Sequence, residues 1–139
     1  MAGTFVLEVV TPYQQIVNEE VEEFTAPGLV GEFGVLPSHA PFLTTLKTGV
    51  LSYKKGGVIK YLAVSGGFAE VVHDRAIVLA EFAEKAENID IESAESDVAE
   101  LEKRLKKLNE IAEDDKEYFE VERSLEKAQM RLSLAKRVQ

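Results

Sequence analysis

The chain has no cysteine and only two histidines among its 139 residues, and these shortages remove much of the catalytic repertoire. Without cysteine there can be no disulfide, no thiolate zinc centre and no thiol nucleophile. The composition suits a reducing compartment. His39 and His73 lie far apart, outside any His-Glu-x-x-His pattern, and a lone histidine of this kind reads as structural. Ser65 stands in Val64-Ser65-Gly66-Gly67, which is not a Gly-x-Ser-x-Gly elbow. Gly56-Gly57 follows lysines instead of preceding one, as a phosphate loop would require. The sequence therefore predicts no enzyme, no metal and no cofactor. A basic face is missing too: the net charge is −9, which argues against nucleic acid. The acidity reads as solubility, with an acidic docking surface as the alternative. No apolar run approaches the roughly 20 residues needed to cross a bilayer. Met1 to Val10 alternates through Phe5, Leu7 and Val9 as a strand does, and does not read as a secretion signal. Any membrane association is expected to come through a partner, without direct insertion.

Glycine and proline are absent beyond Gly67, although the chain has nine and four of them. Aromatics thin out as well, with only Tyr118 and Phe119 beyond Phe82. The remainder is almost entirely Ala, Leu, Ile, Val, Ser and charged residues. A shift from turn-forming and β-branched residues to helix formers marks a change of architecture. It falls near Glu84 to Asn88 and predicts two domains, 1–86 and 87–139.

The first half reads as about ten short strands. Turn signals recur at Thr11-Pro12, Pro27-Gly28, Pro37-Ser38, Lys55-Gly56-Gly57 and His73-Asp74, with no helical period between them. Ile59–Ser65 and Phe68–Val72 read as separate strands. This rhythm predicts an antiparallel β-sandwich rather than alternating strands and helices. Lys55-Gly56-Gly57 is the best hairpin candidate, because glycine supplies the positive φ of tight turns.

The second half carries a sharper pattern. Ile91, Ala94, Val98, Leu101, Leu105, Leu108 and Ala112 recur at alternating spacings of three and four, and so do Tyr118, Val121, Leu125, Ala128, Leu132 and Ala135. Each run places one apolar seam along a helix. The short acidic break Glu113-Asp114-Asp115 predicts an antiparallel two-helix hairpin. Asp90 and Asp114 are the expected N-caps. Lys103, Arg104, Lys106 and Lys107, then Lys136 and Arg137, are placed to complement the carbonyl ends. Burying a dozen such side chains contributes about 1 kcal/mol each, largely offset by ordering. The seam leaves two readings open, a static hairpin or one that opens and docks elsewhere.

One loop is unusual without looking catalytic. Pro27 to Phe42 packs glycines and prolines around a single acid, Glu32, and a single histidine, His39. Such a loop is either a rigid corner of the sandwich or a contact surface on it.

Gly31-Glu32-Phe33-Gly34-Val35-Leu36-Pro37-Ser38-His39-Ala40-Pro41 resembles the signature of the epsilon subunits of bacterial F-type ATP synthases. Ala63-Val64-Ser65-Gly66-Gly67-Phe68-Ala69-Glu70-Val71, Ile77-Val78-Leu79-Ala80-Glu81 and the hairpin through Met130 to Ala135 are similar to that family as well. The resemblance covers essentially the whole chain. It implies a central-stalk rotor subunit whose sandwich grips the gamma subunit and rests on the membrane-embedded c-ring. Glu32, His39 and Ala40 would then be the ring-facing loop. It also implies a hairpin that can extend toward the alpha/beta catalytic hexamer and inhibit ATP hydrolysis, with Lys127, Arg131 and Arg137 meeting acidic surfaces there. The expected location is the cytoplasmic face of the bacterial plasma (inner) membrane. Mitochondrial and chloroplast relatives fit less well. Some family members bind ATP through Ile-Asp-x-x-Arg-Ala; this chain reads Ile89-Asp90-Ile91-Glu92-Ser93-Ala94, with serine in place of arginine. Glu120 and Lys127 also replace arginines of such members. Ile89 and Asp90 are thus a vestigial ATP site at most, because a triphosphate needs cations.

Overall fold

A computed structural model describes residues 3–111 and 115–139. The chain divides into two compact units, Met1–Ala86 and Glu87–Gln139. Among the described residues the first unit holds eight strands: β1 Phe5–Val10, β2 Gln15–Val21, β3 Glu23–Pro27, β4 Glu32–Val35, β5 Phe42–Thr45, β6 Gly49–Lys55, β7 Val58–Val72 and β8 Arg75–Lys85. They follow the order β2-β1-β8-β7-β6-β3-β4, with β5 also pairing β7. The sandwich is as expected. The number of strands is eight rather than about ten, and part of the difference is that Ile59–Ser65 and Phe68–Val72 are halves of the 15-residue β7.

The reason lies at Gly66-Gly67. Read from sequence as a break, this pair is a bend inside one strand, with φ of 72° and 100°. A Cβ on Gly67 would sit 1.9 Å from the Leu79 carbonyl oxygen, so only glycine lets the two backbones approach this closely. Before the bend β7 pairs with β6, and after it with β5, while β8 follows β7 along both halves. One departure from antiparallel pairing occurs, the parallel ladder between β1 and β8. Lys55-Gly56-Gly57 forms the anticipated tight turn, with φ of 57° and 79° at the glycines and Lys55 opposite Val58.

Alternation then fills the interior. Phe5, Leu7 and Val9 of β1, Phe24 of β3, Leu51 and Tyr53 of β6, Leu62 and Val64 of β7, and Val78 of β8 form one buried cluster. Where β2 meets β6 the seam is closed by a charge. Glu19 accepts a hydrogen bond from the buried Tyr53 hydroxyl at 2.8 Å and another from Lys55 Nζ at 2.8 Å. The lysine contact first, and the tyrosine second, hold the Glu19 carboxyl below its ordinary value.

After a single 3-10 turn at Ala86–Asn88, the second unit forms α1 Ile91–Ile111 and α2 Asp115–Val138. Asp90 caps α1: its Oδ1 accepts the Ser93 amide at 3.1 Å. The expected cap Asp114 and seam residue Ala112 lie outside the described residues. The helices run antiparallel, since Asp97 early in α1 meets Arg131 late in α2 at 3.4 Å, while Arg104 meets Glu117 at 3.4 Å. The seam is only partly dry. Ala94, Val121, Leu125, Ala128 and Ala135 are buried, whereas Val98, Leu101, Leu105 and Leu108 are half-buried. One expectation needs correction: Lys136 and Arg137 occupy the last turn of α2, but the last turn of α1 has no cation. Its lysines fall a turn short because the helix continues to Ile111, and the end field fades within one turn. No helix among the described residues is long and apolar enough to cross a membrane.

Candidate functional site

The strand ends and turns of the first unit assemble a loop surface. Glu32 opens β4, an edge strand, and its side chain is exposed with no ion pair or hydrogen bond to any described residue. The preceding turn is braced by backbone bonds from Leu29 to Thr45 at 3.0 Å and from Gly31 to Gly28 at 3.1 Å, with Leu29 and Val30 facing water. His39 lies beyond the other end of β4. Its ring meets Phe42 at 6.1 Å, and Phe42 meets Phe33 at 5.1 Å, so a short aromatic relay joins the histidine loop to the strand carrying Glu32. The imidazole is fixed by a 2.6 Å hydrogen bond between Nδ1 and the Ala40 carbonyl oxygen. A carbonyl oxygen can only accept, so Nδ1–H is the donor in this bond. Ala40 is exposed. The turn ahead of it closes from the His39 amide to the Leu36 carbonyl at 3.2 Å and forces Ser38 to φ 63°.

A second surface was not anticipated. The register sets Val10, Leu79, Phe68 and Thr45 side by side on the outer face of β1, β8, β7 and β5. The next row on that face is Glu8, Ile77, Glu70 and Leu43, and then come Val6, Arg75 and Val72. Leu43, Phe68, Val72 and Leu79 are large apolar side chains left exposed. Phe68 and Leu79 are direct neighbours and with Val10 form an exposed apolar row, whereas Glu70 separates Phe68 from Val72 along β7; clustered apolar side chains of this kind suit an interaction face. At one end it deepens into an open groove of about 430 Å3, walled by Val10, Thr11, Pro12, Phe68 and Leu79. The turn wall is stiffened by Thr11 Oγ1, which accepts the Tyr13 and Gln14 amides at 3.3 and 3.2 Å. The sequence did hold a signal. Ala76-Ile77-Val78-Leu79-Ala80 is apolar at every position, as in strands covered on both faces.

In the second unit Ile89 is buried, and its carbonyl oxygen accepts Gln139 Nε2 at 2.8 Å. The Asp90 carboxylate is taken up by the cap on Ser93, and no arginine follows it in the first turn of α1. Ile89 and Asp90 are adjacent in the chain, but the Ile89 carbonyl and the Asp90 carboxylate are both occupied by structural bonds. Arg131 is half-buried against Asp97.

Comparison with known proteins agrees with this architecture. Residues 4–86 match the family model of the ATP synthase delta/epsilon chain β-sandwich domain. The ATP synthase epsilon chain of Geotalea daltonii is 52% identical over 135 residues, covering 97% of this chain and 96% of the relative. That of Geobacter sulfurreducens is 48% identical over the same coverage. Among solved structures, a chain of the Euglena gracilis mitochondrial ATP synthase assembly of OSCP, F1 and c-ring superposes with a TM-score of 0.76 at 25% identity, covering 91% of this chain and 78% of the other. Sandwich, helices and full-length similarity converge: the chain belongs to the ATP synthase epsilon-chain family.

Proposed function

We propose that the chain is a non-catalytic coupling part of the rotating central stalk, gripping the gamma subunit with its outer sheet face and resting on the c-ring through the loop of Glu32, His39 and Ala40. The observation that carries this reading is the row Val10, Leu79, Phe68, which leaves large apolar side chains on the surface of a sandwich whose own core is already closed. An apolar face suits a permanent partner, and the braced polar loops suit a surface that must be gripped without being buried. Torque then passes through packing contacts, and no bond is made or broken in this subunit. Residues 1–86 bear the coupling and residues 87–139 the regulation. The complex holds the chain at the cytoplasmic face of the bacterial plasma membrane, as a peripheral component.

The hairpin supplies the regulatory part of the reading. Its half-wet seam allows two states separated by a few kcal/mol. Separation of the helices would free Arg131 from Asp97 for the acidic surfaces of the alpha/beta hexamer, alongside Lys127 and Arg137. ATP is not its controlling ligand, because Asp90 is engaged as a cap and the motif arginine is Ser93. Three measurements test this reading. Gamma and the c-ring should copurify with the chain from solubilised membranes, and deletion of residues after Glu87 should raise ATP hydrolysis by the complex. Failure of copurification removes the stalk assignment, and unchanged hydrolysis removes the inhibitory one. Calorimetric titration with MgATP should show no micromolar binding.

A further inference from the structure

The outer face described above is apolar, yet it is not electrically neutral. Three acids point from it: Glu8, Glu70 and Glu81. Glu8 is matched by Arg75 at 3.3 Å. Glu70 and Glu81 are exposed and have no ion pair or hydrogen bond to any described residue. Glu81 is the one charged side chain lining the groove. Its position is built by the bend in β7: two residues beyond Leu79 on the same face, it lies over Gly66, where a Cβ would fall 2.5 Å from Oε2. The missing side chain at Gly66 is what gives the carboxylate its place at the groove.

We propose that the partner segment seated in this groove presents a basic side chain, arginine or lysine, flanked by aliphatic residues, and that Glu81 is its counter-ion. The inference rests on the stalk reading and adds the chemistry of the occupant. A purely apolar occupant would cover Phe68, Leu79 and Val10 well but would strand the Glu81 carboxylate, and an unpaired buried charge opposes association. An acidic occupant would add repulsion from Glu70 and Glu81 together. A basic residue between aliphatics satisfies both features. Its stem packs on Phe68 and Pro12 while its head reaches the carboxylate. Charge pairing of this kind chiefly sets register and orientation. For a part that must turn without slipping, register matters.

The test titrates the full-length chain onto a catalytic sector that contains gamma but has been stripped of its own epsilon chain, at low and at high salt. Glu81→Gln should weaken binding about fivefold to tenfold at low salt, and its affinity should fall less with added salt than the wild type's. Phe68→Ser should weaken binding at every salt concentration. Circular dichroism and thermal melting of each variant confirm that the sandwich is intact, and the exposed positions of both residues make that the expected result. If Glu81→Gln binds as tightly as the wild type while Phe68→Ser is impaired, the occupant is apolar only, and the inference falls with the stalk reading intact. If neither substitution changes binding, the face is not the grip, and both fail. Glu81→Lys should abolish tight binding; tighter binding would overturn the proposal directly.

Discussion

Ser38 holds a left-handed backbone, φ 63°, at the third position of the Leu36–His39 turn. For a residue with a Cβ this conformation costs about 1 kcal/mol, and glycine there gives back part of the gain as chain entropy. Ser38→Gly should therefore raise stability by about 0.5 kcal/mol, seen as a higher melting temperature of the isolated chain. It should also loosen the loop that fixes His39. Glu19 offers a second test, through pH. Its folded value lies below its unfolded one, chiefly through Lys55 and then Tyr53, so the folded state binds this proton less readily. The stabilisation is complete above the ordinary carboxylate range and disappears as pH falls through the folded value. Glu19→Gln should cost about 1 kcal/mol at neutral pH, moderated by partial exposure. In urea titrations the gap from wild type should close at acid pH; a gap independent of pH would refute the linkage. At this scale the sequence was partly legible. The Asp90 cap was readable because cap chemistry is local, within three residues. The Glu19 link to Tyr53 was not, since it spans 34 positions and depends on how β2 closes onto β6.

At the scale of elements, β7 and β8 decide what the rest of the sandwich can do. β7 serves β6 with its first half and β5 with its second, and Gly66-Gly67 is the only glycine pair inside a strand. Gly67→Ala would press a methyl into the Leu79 carbonyl while holding φ at 100°. Relief requires parting of β7 from β8, so the substitution should cost about 3 kcal/mol or more. Urea denaturation measures it, and a loss under 1 kcal/mol, a value below that expected for backbone strain alone, would show that the ladder yields more easily. Periodicity announced the helices plainly, because the three-and-four spacing persists for five turns and more. It was less reliable for strands. A glycine pair looks the same in sequence whether it ends a strand or bends one, and only the continuous partnership with β8 distinguishes the two. The outer row of Val10, Leu79 and Phe68 was missed for a related reason. Alternation identifies the face that enters the core, but which apolar residues remain outside depends on register between strands distant in sequence.

The whole chain is two units, and its composition announced as much: glycine and proline stop at Gly67, and the compact units part at Ala86. The buried cluster of the first unit is drawn wholly from residues between Phe5 and Ala80. It contains phenylalanine, leucine and valine from seven of the eight strands, with no buried side-chain polar atom left unsatisfied among the described residues. A unit with its own closed core has what it needs to fold alone, although at this size the margin is small. A chain ending at Ala86 should therefore keep its β-sheet circular dichroism and unfold in urea in one cooperative step. Its slope should be smaller than that of the full chain, because less surface is exposed on unfolding. The fragment should also retain the outer face, and with it the binding to a gamma-containing sector. The residues proposed for that grip all precede Phe82, and none is drawn from the helices. A broad, non-cooperative transition would show that the sandwich needs the hairpin to hold its shape. Cooperative unfolding with lost binding would instead move the grip into residues 87–139, and the proposed division of labour between a coupling sandwich and a regulatory hairpin would have to be reversed.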